Sequence, residues 1–217
     1  MDYLRNKVKN FIFFLPLLLT SCFSSVDPKL QANYVDLKSQ FKEHLTKHFP
    51  KNLPNEFQGL KYSSGLAPYE VSSFLELETH YLSKETYNSF KNKLITSYQS
   101  KISPLDSCLI KVFTGSVNSE DELVQKTKFL NNNCIKGFPI PDFVINESKS
   151  RDDNIYVIEA DSVNYFGKSD DPIFEKLFNK SEKPLIKYLP AKWSKGYSCG
   201  ITTNDDSLRI NYWLIVW

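Results

Sequence analysis

Residues 208–217 constrain this fold more than any other segment. Read as a strand, they place Ile210, Tyr212, Leu214 and Val216 on one face and Trp213, Ile215 and Trp217 on the other. Successive strand side chains point to opposite faces, so both faces here are bulky and apolar. Such a strand needs a cover on each side, which puts it in the middle of a sheet. Residues 197–202 form a second strand-like run, and Asn204-Asp205-Asp206 between the two supplies turn chemistry, because Asn and Asp side chains bond their own backbone. A C-terminal β-hairpin inside the core is the expectation.

Other elements follow from spacing. Leu37, Phe41, Leu45 and Phe49 recur at helical intervals over residues 34–49, and Pro50 and Pro54 close that run. Leu60-Lys61-Tyr62 reads as a short strand. In residues 74–81, Leu75, Leu77, Thr79 and Tyr81 share one side, as a strand requires. Ser83 is placed to cap a helix that carries Tyr87, Phe90, Leu94 and Tyr98. After Pro104, residues 108–113 read as a strand. Ser119-Glu120-Asp121-Glu122 fits a capping box opening a helix with Leu123, Val124, Thr127 and Leu130. Gly137, Pro139 and Pro141 mark a turn, residues 143–145 a short strand, residues 148–154 an exposed loop, residues 155–160 a strand, and residues 173–179 a short helix behind Pro172. The order predicts an α+β fold: one domain over residues 34–217, a mainly antiparallel sheet and three to four helices. With 41% hydrophobic and 24% charged residues, the chain carries enough apolar material for a core, which excludes collagen-like and largely disordered readings.

The start of the chain bears on location. Arg5, Lys7 and Lys9 outweigh Asp2, and residues 11–19 are apolar except for Pro16. That run is short of the roughly 20 apolar residues a membrane span needs, and it has the build of an export signal. It ends Leu19-Thr20-Ser21-Cys22, which resembles the lipobox of bacterial lipoproteins. The resemblance implies that residues 1–21 are a signal peptide cut off before Cys22 and that Cys22 is acylated. Residues 22–33 then form a tether. Phe23 stands where the inner-membrane retention signal would have Asp, which implies an outer-membrane anchor facing the periplasm.

Cleavage would remove three of 27 basic and one of 25 acidic residues, bringing each total to 24. A neutral body gives no electrostatic case for nucleic acid. Export would also leave Cys108, Cys134 and Cys199 where disulfides form. A helix running back along the strand at Cys108 would bring Cys134 beside it, so Cys108–Cys134 is the favoured pair, worth about 3 kcal/mol. Cys199 would then be a buried thiol.

Candidate chemistry is sparse. His44 and His48 lie four apart, able to share one side of a helix, without the His-Glu-x-x-His order of a zinc protease. Glu76 and Glu78, like Glu159 and Asp161, are spaced to share a strand face, which suits acid–base work or solvation equally. Cys199 and Ser198 lack a base in sequence context, and no Gly-rich phosphate loop is present. Trp193, Lys195 and Tyr197 form an aromatic–basic run suited to a binding surface. The expectation is a lipoprotein without cofactor or metal that binds a ligand or protein partner, with an immunity-type protein that neutralises a periplasmic toxin as its specific version. An envelope hydrolase is the alternative.

Overall fold

A computed structural model of the chain describes residues 26–64, 72–96, 98–106, 108–128, 130, 137–147, 153–162, 189–193 and 196–217. In chain order the helices are α1 (Pro28–Ser39), α2 (Glu43–Thr46), α3 (Lys84–Leu94), α4 (Glu120–Thr127) and α5 (Asp142–Glu147), with a 3-10 turn at Ala191–Trp193. The strands are β1 (Phe57–Ser63), β2 (Ser73–His80), β3 (Ser100–Ile102), β4 (Ile110–Val112), β5 (Pro139–Pro141), β6 (Asp153–Ser162), β7 (Gly196–Asn204) and β8 (Arg209–Val216). Six of them form one antiparallel sheet in the order β1-β2-β8-β7-β6-β3, while β4 and β5 pair in parallel as a second, small sheet. The fold is α+β, a single domain with the C-terminal hairpin in its core. Among the described residues three helices have eight or more residues; α2 and α5 are shorter.

The alternation in β8 sorts its side chains between two cores. Ile210, Tyr212, Leu214 and Val216 join Tyr34, Phe41, Leu45, Leu75, Leu77 and Tyr87 under α1, α2 and α3. Trp213, Ile215 and Trp217 join Ile110, Val112, Ile140, Val144 and Trp193 under the small sheet and α5. Every described residue of β7 is buried as well. Trp217 is tied to Gly196 by a reciprocal backbone pair, and its indole N–H donates to the Trp193 carbonyl at 2.8 Å.

The hairpin turn works as its residues suggest. Asn204 Oδ1 accepts from the backbone N–H groups of Asp206 and Ser207 at 3.1 and 2.7 Å. Ser83 Oγ accepts from Thr86 N at α3, and Ser119 Oγ accepts from Glu122 N at α4. The Glu122 carboxylate accepts from Asn118 N, one residue before the cap, rather than from Ser119 as a capping box would have it.

Gly200 lies at a close approach of backbone and side chain inside the sheet. A β-carbon there would lie 2.1 Å from the Tyr156 carbonyl oxygen and 2.5 Å from the Trp213 ring. The irregularity in β6 between Val157 and Glu159 lies opposite this position. A glycine inside a strand serves such close approaches.

Four local expectations need correction. The first helix starts at Pro28, not near residue 34, because Asp27 caps it by accepting from Lys29 N at 2.8 Å. It also stops at Ser39, whose hydroxyl bonds back to the Asp36 carbonyl, and α2 restarts at a new angle of the chain that brings Leu45 and Phe49 into the core. Pro139–Pro141 is a strand, not a turn. Asp142–Glu147 is a helix, not a strand: Asp142 is held by Thr114 N at 3.1 Å, and Val144 is buried. The expected helix at residues 173–179 lies outside the described residues, as do Cys22, Cys134 and Lys195. Among the described residues no helix is long and apolar enough to cross a membrane.

Candidate functional site

Four elements converge on one polar cluster. Glu76 sits in β2 on the face opposite Leu75 and Leu77, and its register partner in β1 is Lys61. Asn211, in β8, lies on the same face, and α5 brings in Glu147 at its end. Lys61 Nζ stands 2.7 Å from Glu147 Oε1 and 3.3 Å from Glu76 Oε2. Asn211 Nδ2 donates to Glu76 Oε1 at 2.6 Å and reaches Glu147 Oε2 at 3.5 Å. Glu76 is 2% exposed and Asn211 4% exposed, whereas the Glu147 and Lys61 side chains are 32% and 53% exposed. The cluster therefore has a buried floor and an open rim.

Electrostatics follow from that geometry. Burial pushes the Glu76 carboxyl up to about 7; the Asn211 hydrogen bond and Lys61 oppose the shift, and the neighbouring Glu147 adds to it. Lys61 loses some of its charge preference to burial, but its bonds to Glu147 and Glu76 outweigh that and hold it above the usual lysine value. A carboxyl poised near neutrality can hold or release a proton.

Glu78 shares the face with Glu76, as the spacing predicts, yet takes a different partner. Arg209 lies 3.6 Å from Glu78 and 3.8 Å from Asp153, and Asp153 accepts from Asn204 Nδ2 at 2.7 Å. The working carboxylate neighbour of Glu76 is Glu147, not Glu78.

On the opposite face, Glu159 accepts from the Tyr197 hydroxyl and from Lys47 Nζ at 3.1 Å, and the His44 ring lies edge-on to Tyr197. Burial raises the Glu159 carboxyl, but these two donors more than offset it and leave it below the ordinary range. His44 and His48 do not come together on a metal. His44 is exposed, while buried His48 donates from Nε2 to the Trp213 carbonyl at 3.1 Å. Burial lowers the His48 imidazole to about 4, so it is neutral at pH 7. Among the described residues no group of three or more His, Cys, Asp or Glu side chains is placed to hold a metal ion.

Cys199 is fully buried, and burial pushes its thiol up to about 12, far from a reactive thiolate. Ser198 is equally buried and its hydroxyl has no hydrogen-bond partner, hence no activating base. Trp193 and Tyr197 do not present a binding surface. Each is 3% exposed, and they pack into opposite cores because β7 and the turn before it lie inside the fold. Cys108 is half-buried, and with Cys134 outside the described residues their pairing is not placed; no disulfide lies among the described residues. No known protein family, curated protein or solved structure matches this chain.

Sequence reading missed Lys61, Glu147 and Asn211 as partners of Glu76. Asn211 carried a usable signal: one amide inside an otherwise bulky two-faced strand must find a buried partner or cost stability. Glu147 is 71 residues from Glu76 in the chain, and only the docking of α5 joins them.

Proposed function

We propose that this chain is a lipid-anchored protein of the bacterial envelope, held in the outer membrane through Cys22 and facing the periplasm, and that it acts by binding a partner. The observation that carries this reading is the order of residues 1–22: positive start, apolar run, then Leu19-Thr20-Ser21-Cys22. The beginning of the folded body fits it. Helix α1 is capped at Asp27, five residues after Cys22, and five residues reach at most about 18 Å. Two or three acyl chains, at about 0.8 kcal/mol per buried methylene, anchor a protein stably, so the body needs no membrane-spanning element.

Binding is favoured over hydrolysis by where the candidate acid–base groups go. Glu76 is engaged by Asn211 and Lys61, His48 by a backbone carbonyl, Glu78 by Arg209, and Glu159 by Tyr197 and Lys47. Within the binding class, neutralisation of a periplasmic toxin is the specific form proposed.

The anchor is tested by feeding an alkyne-tagged fatty acid to a bacterial host that makes the chain. The label is expected on the protein and to vanish in Cys22→Ser, which should move from the membrane pellet to the soluble fraction. An unlabelled wild-type chain that retains Met1 would remove the proposal. Partner specificity is tested by growth competition: cells expressing the chain should survive a toxin-secreting neighbour that kills cells without it, and equal killing counts against the immunity form.

A further inference from the structure

We propose that the groove between α1 and α2 docks on the headgroups of anionic phospholipids in the leaflet that holds the anchor, so that the body lies on the membrane with this end down. The proposal rests on the envelope reading above and adds to it the face that the body turns to the lipid. Chain length selects that face. Asp27 caps α1 five residues after Cys22, a reach of at most about 18 Å. Helix α1 has 12 residues and is itself only about 18 Å long. An acyl group on Cys22 therefore holds the α1–α2 end of the body next to the lipid. Charge runs the same way. Residues 26–51 carry five lysines against Asp27, Asp36 and Glu43, whereas the chain from Cys22 onward has equal numbers of basic and acidic residues. The end nearest the anchor is net basic, and the remainder is net acidic.

The lining of the groove matches an anionic amphiphile. Its volume is about 780 Å³, and Val35, Phe41 and Phe49 supply its apolar part. Val35 is 48% exposed, so apolar surface is open to a partner there. Lys38, Lys47 and Lys51 line the same groove, against Glu43 as its one carboxylate. Lys51 has no ion-pair partner among the described residues. Lys38 spends one of its three N–H donors on the Pro50 carbonyl at 2.8 Å and keeps the others. Lys47 stands 3.1 Å from Glu159, but the lysine is exposed, and a surface pair of this kind is weak enough for a phosphate to displace. Lysine stems lie along apolar surface while their heads stay in water. A lipid phosphate then meets the ammonium groups, and the glycerol and first methylenes meet Val35. Lysines near an anionic surface attract it additively, and salt screens them. Without acyl chains such a contact is reversible, so Cys22→Ser still leaves the membrane pellet.

The test uses the chain from residue 22 onward, which contains every described element, with Cys22→Ser so that no acyl group contributes. Its binding is measured by flotation at low salt with vesicles of phosphatidylcholine alone and of phosphatidylcholine mixed with phosphatidylglycerol. Binding to the anionic vesicles that exceeds binding to the neutral ones and falls with added salt is the expected result. Replacing Lys38, Lys47 and Lys51 together by Gln should weaken it roughly tenfold or more. Lys47→Gln with Lys51→Gln leaves the Lys38–Pro50 bond in place and should still weaken it, which keeps the test open if the triple variant is unstable. Replacing Lys84, Lys93 and Lys101 by Gln removes the same charge elsewhere and should leave binding unchanged. Equal binding to both kinds of vesicle overturns the proposal and leaves the groove to an acidic protein partner. Equal losses in the two triple variants overturn it as well, because net charge alone would then explain the binding. Neither result touches the anchor, which is read separately from the fatty-acid label.

Discussion

Gly200→Ala is expected to cost about 3 kcal/mol or more, at the top of the range for overpacking. Its melting temperature should fall by roughly 6–12 °C for a domain of this size. The added methyl meets the Tyr156 carbonyl oxygen at 2.1 Å and the Trp213 ring at 2.5 Å. The first neighbour is backbone in β6, and the second is a fully buried indole in the central strand. Neither is the loose end of a flexible side chain, so relief requires β6 and β7 to separate. Shrinking Trp213 in a double variant removes only one of the two contacts and should not restore stability. Thr202→Val, two residues along the same strand, is the contrasting case. Thr202 Oγ1 is buried without a partner, so an apolar isostere should be neutral or mildly stabilising. Thermal unfolding of the three variants reads all of this directly. A Gly200→Ala protein that melts with the wild type would contradict the close packing of β7 against β6 and β8.

The second large effect is hidden in the wild type and appears on mutation. Glu76 titrates near 7 when folded against an ordinary 4.5, because burial disfavours its charge. Between those values the folded state holds a proton that the unfolded state has lost, so this group's contribution falls as pH rises from about 4.5 to 7. His48 has the opposite sign. Its folded value near 4 lies below the ordinary 6.5, so its contribution is present above 6.5 and lost as pH falls to about 4. Each slope is about 1.4 kcal/mol per pH unit. Over their shared window, about pH 4.5–6.5, the two slopes cancel. The wild-type protein should therefore show little change in stability there. Glu76→Gln should lose roughly 3 kcal/mol on acidification from pH 6.5 to 4, with His48 left unopposed. His48→Gln should instead lose stability as pH rises from 4.5 to 7. Urea unfolding at half-unit pH steps decides it. Parallel profiles for the three proteins would mean that neither group is held as the structure places it.

These two buried groups also show where the sequence was legible. Strand β8 was readable because both of its alternating sets are bulky, an arrangement with few structural solutions. Strand β2 was readable because Leu75, Leu77, Thr79 and Tyr81 alternate; Ser83 and Ser119 were readable as caps because a hydroxyl before a helical run has one obvious donor to serve. The stretch at residues 139–147 was not readable. Two prolines argue for a turn, yet a two-stranded parallel ladder lets Pro139 and Pro141 sit at edge positions that need no N–H. Phe143, Val144 and Ile145 favour a strand by propensity, but burial of Val144 and the hold of Thr114 on Asp142 override it. At the candidate site, Glu76 and Glu78 were visible as a same-face pair. Their different fates were set by Lys61, Glu147 and Arg209, groups brought there by tertiary packing alone.

The place of β8 has a consequence for biosynthesis. It is the last strand in chain order, yet it joins the β1–β2 pair to the β7–β6–β3 group. Ser73 in β2 finds Val216 as its partner, a separation of 143 residues. Until that final segment emerges, the two halves of the sheet have no common seam, and their apolar faces cannot close over one another. A polypeptide built this way cannot close its sheet before β8 is available, and pairings so distant in sequence make its collapse slow. The architecture thus postpones completion of the sheet until its last strand has been made.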